Sequence, residues 1–188
     1  MVSIKGTVVL DTIADIRSEG GEAELAQILS RLEGKAQAFF RDEIEGLQPM
    51  RWVPLDHYTA LLEACHAIYG SAYPDMLISR TEQIVEQQSR GIYRVMMKLS
   101  RPEALATRSA LIIQTYYQGI EVESTIQGKG RVLHVYRGFE KRHRLIAWPI
   151  MGFFRKALQI CGVRGIETKF ITPIEDGLGH ADLLVTWI

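Results

Sequence analysis

The densest group of ionisable side chains in this sequence is basic and directly precedes a predicted helix. Its members are Arg137, Lys141, Arg142, His143 and Arg144. The helix begins near Trp148, and helix N-termini carry unpaired N–H groups and a partial positive charge that favour anions. Cations placed there are repelled unless a negative group binds among them. We therefore predict an anion-binding site at Arg137, Arg142 and Arg144 for a phosphate, a carboxylate or an acidic partner, with a solvated loop as the alternative.

Aromatic residues and one histidine surround the same predicted helix. The candidates for a ligand-binding site are Tyr116, His134, Tyr136, Trp148 and Phe153. Small ligands bind in apolar pockets that carry a few polar groups, and this composition favours such a pocket. His134 shares a strand face with Val132 and Tyr136, where it is predicted to contact a ligand or to sense protons. A plainly packed core is the alternative interpretation of the same residues.

The sequence lacks the motifs of common enzyme chemistries. It has no G-x-S-x-G, no H-E-x-x-H, no phosphate-binding P-loop and no dinucleotide fingerprint. Cys65 and His66 are adjacent, so they point in different directions from a helix and form no metal site with His57. We predict no catalytic residue, no metal site and no cofactor, and hence a protein that is not an enzyme.

Charge and composition narrow the classes of partner. The chain has 22 basic and 22 acidic residues, whereas a nucleic-acid-binding protein normally carries a basic excess. No apolar run reaches the roughly 18 residues of a membrane span, and the N-terminus does not resemble a signal peptide. The two cysteines lie outside any C-x-x-C motif and are typical of reduced thiols. These features predict a cytoplasmic protein with no nucleic-acid partner and no membrane span.

The spacing of apolar residues divides the chain into two parts. Helical spacing prevails over residues 1–118, and the last helix of this block starts at Pro102. Its predicted buried stripe is Leu105, Leu111, Ile112, Thr115 and Tyr116. Strand periodicity then appears on both sides of Gly128-Lys129-Gly130, which predicts a hairpin. A helix from about Ala147 to Cys161 follows, and then a second hairpin.

These elements predict an α+β fold in which an N-terminal helical block precedes a four-stranded antiparallel sheet built as hairpin, helix, hairpin. The second hairpin is formed by residues 165–172 and 181–188. We predict a single domain over residues 1–188, with a mainly helical subregion at 1–118 and a hairpin–helix–hairpin subregion at 119–188.

This order of elements resembles the superfamily that contains the haem-nitric-oxide-binding (H-NOX) domains, the four-vinyl-reductase ligand-binding domains and the Bet3-type trafficking subunits. The residues that carry the likeness are Lys5-Gly6-Thr7-Val8-Val9, Gly152-Phe153-Phe154-Arg155 and Gly179 to Trp187. The chain is most similar to bacterial paralogues of about this length that share the W-x-P-x-x-x-Y stretch from Trp52 to Tyr58.

The sequence departs from the haem-binding pattern at two places. The resemblance implies a histidine ligand on the helix just before the first hairpin, and residues 111–118 contain no histidine. It also implies a Tyr-x-Ser-x-Arg motif for the haem propionates. Tyr136 keeps the tyrosine, while Gly138 and Glu140 replace the serine and the arginine. Because haem needs an axial ligand from the protein, these departures predict a domain without haem.

Three functions remain open. The preferred one is a non-enzymatic cytosolic sensor or adaptor that binds an apolar or amphipathic small molecule between helices and sheet, without haem. The first alternative is a protein-interaction module, as a homodimer or with a signalling protein partner. The second alternative is a divergent haem or gas sensor that uses an unexpected ligand such as His134.

Overall fold

A computed structural model describes residues 2–188, apart from the side chains of residues 92, 93, 109 and 110. The helices are α1 (Gly6–Leu29), α2 (Gly34–Asp42), α3 (Leu55–Tyr69), α4 (Tyr73–Gln88), α5 (Ile92–Leu99), α6 (Pro102–Tyr116) and α7 (Ala147–Cys161). The strands are β1 (Ser3–Lys5), β2 (Trp52–Pro54), β3 (Tyr117–Gln118), β4 (Glu121–Gly128), β5 (Arg131–Arg137), β6 (Glu167–Thr172) and β7 (His180–Thr186). The predicted α+β fold class is confirmed.

Two compact units make up the chain. One unit contains the residues up to Tyr73 together with Tyr116–Gly119, and the other contains Pro74–Thr115 together with Ile120–Ile188. The division at residues 118 and 119 that the sequence suggests stays a prediction. Among the described residues, no helix is long and apolar enough to cross a membrane.

The first unit combines α1, α2 and α3 with a three-stranded antiparallel sheet of order β2-β1-β3. The apolar core includes Ile4 of β1 and Val53 of β2, which are both fully buried. Helix α1 bends at Gly21, where a φ of +74° requires the left-handed conformation that glycine adopts without steric cost. The sequence did not predict this sheet, because strands of two or three residues are too short to show an alternating pattern.

The second unit contains the predicted four-stranded antiparallel sheet, with strand order β4-β5-β7-β6. Its inner face packs under α7 and includes Val132, Tyr136, Leu183 and Val185, all fully buried. Helix α7 begins and ends where the sequence predicts. It approaches α4 closely, since a Cβ on Gly152 would lie 2.6 Å from the backbone oxygen of Ile78. Only glycine fits there without a shift of one helix.

The predicted stripe of α6 is wrong in part. Leu105 is buried as expected, but Leu111 and Ile112 are 59% and 43% exposed. Ile113 is buried instead, at a position rotated by one residue around the helix. Neighbouring apolar columns differ by about 100° around a helix, and the spacing alone does not tell which column meets the core.

Candidate functional site

His134 is a fully buried polar residue on the inner face of the four-stranded sheet. It lies on β5 opposite Ser124 of β4, and Ser124 Oγ is 2.8 Å from His134 Nδ1. The ring of Phe154, which projects from α7, stacks on the imidazole with 4.4 Å between ring centroids. His134 is fully buried. The local structure therefore fixes both the position and the plane of this ring.

The second ring nitrogen of His134, Nε2, differs from Nδ1 in its hydrogen bonding. Within residues 2–188, apart from the four undescribed side chains, no atom forms a hydrogen bond with Nε2. Buried polar atoms are nearly always paired, so an unpaired one calls for a physical explanation. Local strain in the fold is one such explanation, and a ligand that binds at this atom is another.

Burial also sets the charge of this histidine. It lowers the pKa of His134 to about 4, because the charged form is poorly solvated inside the protein. The imidazole is therefore neutral at pH 7. When Nδ1–H donates to Ser124 Oγ, the lone pair resides on Nε2. A neutral imidazole held by a hydrogen bond on its other nitrogen is the form that binds metals.

The space around His134 Nε2 limits the approach of a metal to this atom. The atom is buried by the surrounding protein, and Phe154 covers one side of the ring. An iron atom can therefore approach Nε2 only if neighbouring side chains, Phe154 among them, change rotamer.

The predicted ligand-binding residues are placed in both units. The rings of His134 and Tyr136 lie 6.5 Å apart. Phe153 is half-buried. Its ring is nearly perpendicular to that of Phe154, with 5.5 Å between the ring centroids. Trp148 is half-buried in the first turn of α7. Tyr116 belongs to the first unit, where Lys5 Nζ lies 6.0 Å from its ring centroid. Whether these residues share a ligand stays a prediction.

Arg137 and Arg142, both predicted to bind an anion, lie beside carboxylates. Arg137 lies 3.3 Å from Glu123, and Arg142 lies 2.8 Å from Glu140. Arg144 is exposed. An anion at these residues would have to compete with the two glutamates, and the site stays a prediction.

The segment before α7 also differs from the loop that the sequence predicts. A 3₁₀ helix, Lys141–Ile146, leads directly into it. The Glu140 N–H donates to His143 Nδ1 at 2.9 Å, so His143 helps to cap this 3₁₀ helix. The basic residues therefore belong to a helical turn and its flank rather than to an open loop before a free helix end.

The ligand-binding residues predicted from the sequence do not include two residues at the site, Ser124 and Phe154. Ser124 could have been found from the hairpin, because its register follows from the turn and places residues 124 and 134 opposite each other. Phe154 is adjacent to the predicted Phe153, and only the rotation of α7 distinguishes the two.

Metal-binding groups are sparse elsewhere in the described part of the chain. It contains no cluster of three or more His, Cys, Asp or Glu side chains that could hold an ion. Neither cysteine forms a disulfide bond, and Cys161 Sγ donates to the Ser100 carbonyl at 3.1 Å.

No family model matches the sequence, and no curated protein matches it. Solved structures do match along the chain. It is similar to the Fe(II) unliganded H-NOX protein from K. algicida, with a TM-score of 0.72, 11% identity and coverage of 98% of this chain and 97% of that one. It is also similar to an H-NOX protein from S. oneidensis in the Fe(II)NO state. That match has a TM-score of 0.69 and 11% identity, and it covers 98% of this chain and 99% of that one. A mutant of the T. tengcongensis H-NOX protein matches with a TM-score of 0.63 and 12% identity. That match covers 98% of this chain and 97% of that one.

At these identities the similarity establishes the fold alone. The chain has an H-NOX-like fold, which confirms the resemblance seen in the sequence. The preferred functional hypothesis, a sensor or adaptor without haem, is wrong on these comparisons. Two of the matching proteins were solved in the Fe(II) and Fe(II)NO states, which favours the second alternative, a haem or gas sensor. The absent histidine in residues 111–118, on which the haem-free hypothesis depends, excludes only one position for the iron ligand.

Proposed function

We propose that this chain is a sensory domain of the H-NOX-like fold that binds haem and detects a diatomic gas, with His134 as the iron ligand. The observation that carries the proposal is the buried, neutral imidazole whose Nε2 has no hydrogen-bond partner among the described residues. Haem, when bound, supplies the iron to which the gas binds. The fold supports the proposal because proteins with the same arrangement of elements were solved with iron.

The residues present fit haem in donor chemistry but not in the H-NOX arrangement. Ser124 would hold the Nδ1 side of His134, so that Nε2 keeps its lone pair. The ligand would come from a strand, since α6 has no histidine over residues 111–116. Phe154 would have to leave its stacked position. The proposal therefore includes a rearrangement of this ring on binding.

Other histidines are poorer candidates. His57 is half-buried and stacks on Phe39 at 5.3 Å. His143 uses Nδ1 to accept a hydrogen bond from the Glu140 backbone. His180 is exposed, 3.9 Å from Asp182. None of these pairs full burial with a ring nitrogen that lacks a partner.

Haem titration followed by absorbance tests the proposal. The wild-type chain is expected to give a Soret band that saturates at one haem per chain and shifts when carbon monoxide is added to the reduced protein. His134→Gly is expected to lose the band and to regain it when free imidazole is added, because imidazole can occupy the vacated space.

His180→Gly is the matched control, since it removes an exposed histidine from the neighbouring strand and should bind haem like the wild type. Circular dichroism checks that each variant is folded. A wild-type chain without a Soret band would refute the proposal. An unchanged band in folded His134→Gly would refute the assigned ligand.

The location of the protein and its partners are also matters of proposal. We propose a cytoplasmic protein that is not an enzyme and that passes its signal to a protein partner or to a second copy of itself. Two cysteines outside any disulfide bond and the balanced charge support this proposal. We also propose that residues 1–188 act as a single domain. Light scattering at increasing concentration tests the homodimer, and a single calorimetric transition is expected for one domain.

A further inference from the structure

Helix α5 presents apolar side chains to solvent. Val95, Met96 and Leu99 are 54%, 61% and 82% exposed. Their spacing of one, three and four residues places them on one stripe of the helix. A surface helix normally turns its apolar residues inward, and these three side chains of α5 depart from that rule.

Ionic contacts hold α5 in this orientation. Arg94, on another side of the helix, pairs with Glu86 of α4. Glu86 also accepts from Lys156 of α7, at 2.9 Å. The two cations, hydrogen-bonded to this carboxylate, lower the pKa of Glu86 to about 2, and it stays ionised across the physiological range. Rolling the apolar stripe inward would break the Arg94–Glu86 pair.

The segment around α5 is also strongly basic. Residues 90–101 contain four basic residues and no acidic residue, in a chain whose net charge is zero. Arg90, Lys98 and Arg101 are exposed. They lie before the helix, beside the apolar stripe and after the helix. An apolar stripe bordered by cations is complementary to a surface that is both apolar and anionic.

We propose that α5 binds the surface of an anionic lipid bilayer, with Val95, Met96 and Leu99 among the acyl chains and Arg90, Lys98 and Arg101 at the level of the phosphates. Basic amphipathic helices bind membranes in this way, in the plane of the interface. Eight residues make a helix only about 12 Å long. Three side chains on one stripe of such a helix cover much less area than the roughly 800 Å² per partner that a stable protein interface buries. A second copy of α5 would bring like charges together.

Vesicle co-sedimentation tests this proposal, which does not depend on haem. The wild-type chain is expected to sediment with vesicles of phosphatidylcholine and phosphatidylserine and to stay in solution with phosphatidylcholine alone. High salt should release it. The double variant Met96→Ser/Leu99→Ser should bind at least about tenfold more weakly, because two apolar side chains no longer enter the lipid.

Charge is tested separately. Lys98→Gln/Arg101→Gln should weaken binding by about fivefold for each cation removed. The matched controls are Leu178→Ser, at another exposed leucine, and Lys129→Gln, in the exposed β4–β5 turn. Both controls should bind like the wild type.

Three results would overturn the lipid assignment. The first is no sedimentation with anionic vesicles at low salt. The second is equal binding of the α5 variants and their controls. The third is a concentration-dependent dimer that Met96→Ser/Leu99→Ser abolishes while leaving vesicle binding unchanged, which would assign the stripe to a second copy of the chain.

Discussion

The inner face of the four-stranded sheet and helix α5 depart from the usual distribution of polarity in opposite directions. The sheet buries a polar side chain, His134, among apolar neighbours, whereas α5 exposes three apolar side chains to solvent. In both places a specific polar contact fixes the orientation: Ser124 holds His134, and Glu86 holds Arg94. Buried polar groups and exposed apolar patches are the informative exceptions on a protein, and here they mark the two regions for which we propose functions.

The comparison predicts very different costs for removing a large side chain from each region. Phe154→Ala should lower the free energy of unfolding by about 3–5 kcal/mol, because Phe154 is fully buried against His134 and leaves a cavity. Leu99→Ala should change it by no more than about 0.5 kcal/mol, because the side chain is already exposed. Urea unfolding measures both. Similar losses for the two variants would show that α5 is packed and that the contrast is false.

The pH dependence of stability isolates the buried histidine. The pKa of His134 is about 4 in the folded protein and near 6.5 when unfolded. The unfolded chain therefore takes up a proton first as the pH falls. The contribution of His134 to stability is complete above pH 6.5 and decreases toward pH 4, by up to roughly 3 kcal/mol.

His134→Phe should flatten this part of the curve, since phenylalanine does not titrate and can stack on Phe154. The quantity to compare is the change in unfolding free energy between pH 7 and pH 4 for wild type and variant, so that other titrating groups cancel. His180→Phe is the control and should follow the wild type. Identical slopes in all three proteins would mean that His134 is protonated as easily in the folded state as in the unfolded state.

The smallest effect is expected at the ionic contacts of α5. Glu86→Gln should leave global stability nearly unchanged, because the carboxylate is at the surface and exposed ion pairs contribute little. It should instead speed amide hydrogen exchange in α5, where Arg94 loses its partner. The depressed pKa of Glu86 implies that this contact persists above pH 4.5 and is lost as the pH falls through about 2. Glu121→Gln, on an exposed edge strand, is the control. No acceleration in α5 would contradict the role given to the Glu86 contacts.

Elements longer than about five residues could be predicted from the sequence, because their periodicity repeats. The hairpin around Gly128-Lys129-Gly130 and helix α7 are examples, and β7 lies inside the sheet as its apolar sequence suggests. The short strands β2 and β3 could not be predicted, because they depend on pairing between segments distant in the chain. The direction in which α5 and α6 turn their apolar residues is likewise decided by packing and by contacts such as Arg94–Glu86.

The candidate site was predictable in part. Alternation along β5 places His134 on the same face as Tyr136, and the structure buries both. The pairing of Arg137 with Glu123 and the position of Tyr116 in the other unit depend on tertiary structure that the sequence pattern does not contain. The missing histidine in residues 111–118 is weak evidence against haem, since it concerns only one of the places from which an iron ligand can come.

The central claim is that His134 holds haem, and native mass spectrometry tests it most directly. The chain, together with its His134→Gly and His180→Gly variants, would be purified from a host supplied with haem and analysed under gentle ionisation. We predict one haem per chain in the wild type and in His180→Gly, and none in His134→Gly. A folded wild-type chain without haem, or a His134→Gly variant that retains it, would contradict the account.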